Sequence, residues 1–512
     1  MIRAKDLQAR LAAHTELALL DAREQGVHYR GHPFFACSAP LSKLEMVIGD
    51  LVPRRSAPIV MFDAGEGLAQ KAAARLKELG YTDVQTLDGG CAAWKAAGGE
   101  LFSGINVPSK AFGEFVEHHY QTPRIPAEEF RRLREAGAKL VVVDSRPFEE
   151  YQRMCIPGGI DMPGAELAYR IHDLAPDPDT LVVVNCAGRT RSFIGCQSLR
   201  NAGIPNRVVA LKDGTMGWEL AGYGSEKGAA RRAPDPSAAG LAKAQAAAEQ
   251  VAQRFGVKFT DAGRVHQWLG DEKRTTYLLD VRTREEFEAG HIAGSRHAPG
   301  GQLVQATDEY VAVRHARIVL VDPQRVRAIM TASWLVQMGW HDVYVLSNLA
   351  GFAIESGKRA PNLLGFKAWH STRQAEGTVL DFATSLRFYH QHVPGAWWVV
   401  RSRLAEAKAK IGSPSVITLT SEDGVLAHYA APDVQALWPQ AKVQVLEGGN
   451  AAWLGPWEQG VERATTLRDD VWYKPYDHET GSFEKHAREY LEWEVALIEQ
   501  SKRDPTIRFQ TF

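Results

Sequence analysis

The sequence predicts an α/β protein built from four tandem copies of one unit, each a mainly parallel sheet with helices on both faces. Three observations carry that expectation. Four short apolar runs end in aspartate: LALLD at Asp21, LVVVD at Asp144, YLLD at Asp280 and TVLD at Asp381. Four later runs, IVMFD, LVVVNC, RIVLVD and VITLTS, end at Asp63, Cys186, Asp322 and Ser421, which lie 42, 42, 42 and 40 residues beyond those aspartates. A strand, a turn and an aromatic then recur 30 to 32 residues further on, at Trp94, Trp218, Phe352 and Trp453. A fixed internal period of this kind marks a repeated structural unit.

Within each unit the elements follow in order. The first run is continuously apolar, as a strand covered on both faces requires. His32, Cys155, His291 and His392 hold one equivalent place eleven residues past the aspartate, and Gly158, Gly294 and Gly395 another, three residues later. The second apolar run is followed by amphipathic stretches such as GLAQKAAARLKELG in the first unit. Short strands interleaved with helices argue for parallel pairing. In such sheets ligands sit beyond the carboxyl ends of the strands. The expected division is into units at residues 1–105, 122–224, 255–360 and 370–460. Residues 225–254, rich in Ala, Gly, Pro and charge, read as a linker whose later part suits a helix. Residues 461–512 read as a partly helical, amphipathic tail.

Composition narrows the function. Across 512 residues, 45% apolar and 24% charged side chains are globular averages. The formal net charge of −1 gives no reason to expect nucleic acid or an anionic membrane as partner. The apolar runs are far too short to span a bilayer, and the first residues lack the apolar core of a signal peptide. Five scattered cysteines (Cys37, Cys91, Cys155, Cys186 and Cys196) fit a reduced, cytoplasmic chain, and no pair shows metal-ligand spacing. Neither a metal nor another cofactor is expected.

One unit carries a reactive pattern. Its central strand runs into Cys186-Ala187-Gly188-Arg189-Thr190-Arg191-Ser192 and then an apolar helical stretch. A cysteine between a strand end and a helix start is surrounded by unpaired backbone N–H groups and the positive end of the helix dipole. Arg189 and Arg191 add charge. Together these terms favour thiolate, the nucleophilic form, and the same loop suits an oxyanion leaving group. Taken alone, a cysteine ending a strand is usually a small core residue; the two arginines reverse that reading. Cys196 and Cys155 read as structural. Arg146 has counterparts in Arg23 and Arg282 and so reads as half of a structural ion pair, whereas Arg153 has none and is a candidate anion contact.

The aspartate strand, the turn DGTMGW and the loop C-A-G-R-T-R resemble the rhodanese family of sulfurtransferases. That resemblance implies a sulfane sulfur moved from thiosulfate through a Cys186 persulfide to cyanide or a thiol acceptor, a thiol protein included. It implies a loop of Ala187, Gly188, Arg189, Thr190, Arg191 and Ser192, with Arg153, binding a small anionic sulfur donor. The family's best-known loop has arginine directly after the cysteine, where this chain has Ala187. 3-Mercaptopyruvate is the alternative donor, and a non-catalytic persulfide carrier or scaffold the alternative class. A thiolate phosphatase needs arginine six residues after the cysteine; here Arg191 stands five after it. Asp63, Asp322 and Ser421 at the cysteine position make the other three units silent.

Overall fold

The computed structural model describes residues 1–478 and 481–512. Its largest elements are four five-stranded sheets. The second sheet runs, edge to edge, Arg124–Ile125, Val208–Leu211, Leu181–Asn185, Leu140–Asp144, Ile160–Asp161, with every pair parallel. The third repeats that order with Lys258–Thr260, Val343–Leu346, Arg317–Val321, Thr276–Asp280 and Arg296–His297. The fourth does so with Ser371–Thr372, Lys442–Leu446, Val416–Thr420, Thr378–Asp381 and Trp397–Trp398. In the first sheet a bridge between Ile2 and Leu87 stands where the others have an outer strand. The α/β repeat fold expected from the sequence is present.

Register explains the 42-residue spacing. Asp21 pairs with Phe62, Asp144 with Asn185, Asp280 with Val321 and Asp381 with Thr420. The residue after each partner is therefore the first beyond the sheet: Asp63, Cys186, Asp322 or Ser421. The buried aspartates anchor the strand ends. Arg23, Arg146 and Arg282 each hold their aspartate through Nε and Nη2, and Nη2 also donates to the carbonyl of Gly31, Met154 or Gly290. The fourth unit lacks the arginine, and Asn450 takes its place on Asp381 at 2.9 Å.

The first three units share one core. Val313–Arg314 of the third unit pairs antiparallel with Leu17 and Ala18, joining the first sheet. The stretch read as a linker contains the helix Ala238–Phe255, whose Ala244, Val251 and Phe255 are buried against Ala168 of the second unit and Trp334 of the third. Alanine-rich composition, which resembles a loose connector in sequence, here lets helices approach closely. The fourth unit has its own core around Leu380, Leu419, Ala430 and Val445. The tail forms a helix, Phe483–Ser501, laid on Val107–Tyr120, with Leu497 buried and Trp493 Nε1 donating to Ser103 O at 3.0 Å. No helix among the described residues is long and apolar enough to cross a membrane.

Candidate active site

The strand Leu181–Asn185 ends at the sheet's carboxyl edge, and the helix Thr190–Asn201 starts five residues later. Cys186 sits in that gap, 2% exposed. Its thiol donates to Ser192 Oγ at 3.4 Å, and the Ser192 hydroxyl donates to Arg189 O at 2.8 Å. Among the described residues, the amides of residues 187–191 donate to no oxygen. Convergent, unspent N–H groups at a helix start form a nest for an anion.

The turn of the third landmark holds this loop from the other side. Thr215 N donates to Cys186 O at 2.8 Å and Met216 N to Ala187 O at 2.9 Å. Gly214 has φ +57°, and a Cβ there would lie 2.4 Å from Cys186 O, so only glycine fits. The same turn meets Asp63 O through Cys91 N and Ser421 O through Asn450 N.

In the other units the side chain at the cysteine position occupies its own loop. Asp63 accepts from the amides of Gly65 and Ala69, both at 2.9 Å. Asp322 accepts from Gln324 N at 3.2 Å and Arg327 N at 2.9 Å, and Ser421 Oγ from Ala427 N at 3.4 Å. The nest that stays open at Cys186 is filled internally in its three counterparts.

Beside the Cys186 loop lies a cavity of about 280 Å³, walled by Ala187, Arg153 and Arg191 of the second unit, Gln302 of the third, Lys110 of the helix after the first, and Tyr476 of the tail. Its lining carries five cations, Lys110, Arg146, Arg153, Arg191 and Lys474, against two carboxylates, Glu150 and Glu309. Arg191 pairs with Glu150 at 2.8 Å and donates to Gln302 Oε1 at 3.2 Å. Burial opposes the Glu150 charge, but Arg191 and Lys474 outweigh it and hold that carboxyl well below the usual range. Arg191 and Arg146 both interact electrostatically with Cys186. Arg153, 58% exposed at its side chain, pairs with Asp477 at 2.9 Å.

The loop residues expected to bind the donor separate into groups. Ala187, Arg191 and Arg153 line the cavity, and Ser192 contacts the sulfur. Gly188 packs under Glu494, and Thr190 Oγ1 donates to Glu494 Oε1 at 3.0 Å. Arg189 turns away: its guanidinium meets Glu114 at 2.7 Å, Asp213 at 3.0 Å and Glu117. This differs from the expected cradle of two arginines. The reason is that Glu114, 0% exposed, needs a buried cation more than the donor site does. Glu114, Glu117 and His118 lie close enough to share a metal ion, yet Arg189 and Arg124 already neutralise both carboxylates.

All five cysteines are unpaired. Burial pushes the Cys196 thiol up to about 12 and the Cys91 thiol up to about 11, and raises those of Cys37 and Cys155, so these four are poor nucleophiles. Sequence reasoning missed Lys110, Tyr476, Tyr490 and Glu494. None lies in a repeat landmark, so no local signal marked them.

Comparison with known proteins identifies the repeated unit. The rhodanese-like domain family matches at residues 3–97, 126–221 and 261–348. The chain is similar to the crystal structure of thiosulfate sulfurtransferase from Pseudomonas aeruginosa, with 48% identity, a TM-score of 0.95, and coverage of 100% of this chain and 99% of that one. It is also 40% identical over 105 residues to the HTH-type transcriptional regulator Rv0324 of Mycobacterium tuberculosis, covering 20% of this chain and 45% of that protein. The chain thus spans less than half the length of that regulator.

Proposed function

The chain belongs to the rhodanese-like domain family, and on that premise we propose that it is a thiosulfate sulfurtransferase in which Cys186 alone carries the transferred sulfur. One observation carries the reading: the amide nest beside a cationic cavity is open at Cys186 and filled by the protein's own side chain at Asp63, Asp322 and Ser421.

The chemistry balances with the residues present. The Cys186 thiolate attacks the outer sulfur of thiosulfate, the sulfur–sulfur bond breaks, and sulfite leaves with the electron pair. Arg191, with Arg153 and Lys110 further out, meets the departing charge. The Cys186 persulfide rests against the amides of residues 187–191. A thiolate or cyanide then bonds to the outer sulfur, and the electron pair of the broken bond returns to Cys186 as thiolate. Arg189 keeps the loop in shape through Glu114. Five unpaired cysteines fit a reducing compartment, and we place the enzyme in the cytoplasm on that ground. The division into three silent repeats, one catalytic repeat, a helical connector and a tail belongs to the same proposal.

Intact mass after exposure to thiosulfate tests it. The protein is expected to gain one sulfur atom, mapped to Cys186 and removed by cyanide or a thiol. No gain, or a gain that persists in Cys186→Ser, would sink the reading.

A further inference from the structure

Two tyrosines from the C-terminal segment reach the Cys186 cavity, and their hydroxyls differ. Tyr490 is committed: its hydroxyl donates to Glu494 Oε1 at 3.0 Å. The Tyr476 hydroxyl is enclosed and has no hydrogen-bond partner among the described residues. A buried hydroxyl left unsatisfied is rare and calls for an explanation.

The Tyr476 ring is well fixed. It stacks on Phe483 with centroids 4.7 Å apart and planes at 22°. Its backbone carbonyl accepts from Arg153 at 3.4 Å, and the neighbouring Asp477 pairs with the same arginine at 2.9 Å. The residue lines the same cavity as Ala187 and Arg191 of the Cys186 loop, and the phenol interacts electrostatically with both Arg146 and Cys186. Burial and the charge of Glu219 push its ionisation up, so it keeps its proton and acts as a donor. A proton donor without a partner, in a cavity that Arg191 and Lys474 also line, is matched by an acceptor oxygen such as an anion carries.

We infer that Tyr476 is a specificity-determining residue: its phenol donates a hydrogen bond to an oxygen of the small oxyanion bound beside Cys186. A segment outside the four repeats thereby selects the sulfur donor. This rests on the reading of Cys186 as the sulfur-carrying nucleophile. It adds that anionic reagents, rather than neutral ones of equal size, are favoured there by the tail.

Alkylation of the full-length protein separates the two claims. Iodoacetate and iodoacetamide differ by a carboxylate against an amide and react with the same thiol. In Tyr476→Phe, the Cys186 rate with iodoacetate is expected to fall about tenfold, as for loss of a hydrogen bond to a charged group, with the iodoacetamide rate unchanged. The thiosulfate KM should rise by a similar factor with kcat little altered. An iodoacetate-to-iodoacetamide rate ratio equal to that of the parent protein, whether both rates fall or neither does, overturns the inference. That ratio is read even if thiosulfate transfers no sulfur, so failure of the enzyme reading and failure of this one are distinguishable.

Discussion

At the residue scale, two arginines two positions apart do different work. Arg191 faces the cavity, whereas Arg189 is buried among Glu114, Glu117 and Asp213 and lies over the Phe193 ring. Arg189 caps the start of the helix Thr190–Asn201 while Arg191 lies in its first turn, so the two side chains leave the chain in different directions. Arg191→Gln should lower kcat/KM for thiosulfate about a hundredfold, as for loss of one oxyanion contact. Arg189→Gln should instead lower stability by about 3–5 kcal/mol, since it strands buried Glu114. Urea denaturation and steady-state kinetics on both variants check the assignment, and the reverse pattern would refute it. The sequence showed both arginines beside the cysteine but not their directions, which depend on acidic residues on a helix some seventy positions earlier.

At the element scale, the Cys186 loop depends on a turn from the next βα unit. Gly214 lies against the Cys186 carbonyl at a positive φ, and the neighbouring amides of Thr215 and Met216 hold the loop's shape. Gly214→Ala is expected to displace the loop, lowering sulfur transfer severely while the sheet persists. Activity near that of the parent protein would show that the turn does not set the loop's geometry. This element was legible early, because DGTMGW recurs as DGGCAAW and EGGNAAW within one residue of the same spacing. The C-terminal helix was legible as an amphipathic helix but not as a wall of the site. Glu494 reaches the loop through Thr190 and pairs with Lys110 on the helix Val107–Tyr120, contacts between segments hundreds of residues apart.

At the scale of the whole molecule, the units are unequally joined. The first three share a continuous core that includes the Ala238–Phe255 helix and the strand pairing of Leu17 with Arg314, while the fourth keeps its own. Calorimetry should therefore show two transitions, a large one for the first three units with the tail and a smaller one for the fourth. Leu419→Ala, in the fourth core, should lower the smaller transition by a cost of about 2–5 kcal/mol and leave the larger in place. A single transition, shifted whole by that variant, would mean the four units fold as one.

The sequence by itself determined the repeat, the parallel pairing within each unit, and the place of Cys186 beyond a strand end. Those follow from local hydrophobic patterning and from spacing that parallel pairing enforces. Only the tertiary structure decided which other units wall the cleft, that Arg189 pairs with buried Glu114, and that the tail brings Tyr476 to the cavity. Such contacts join side chains far apart in the chain, and their pairing is chosen by burial and charge neutralisation in three dimensions, which no periodicity along the chain records.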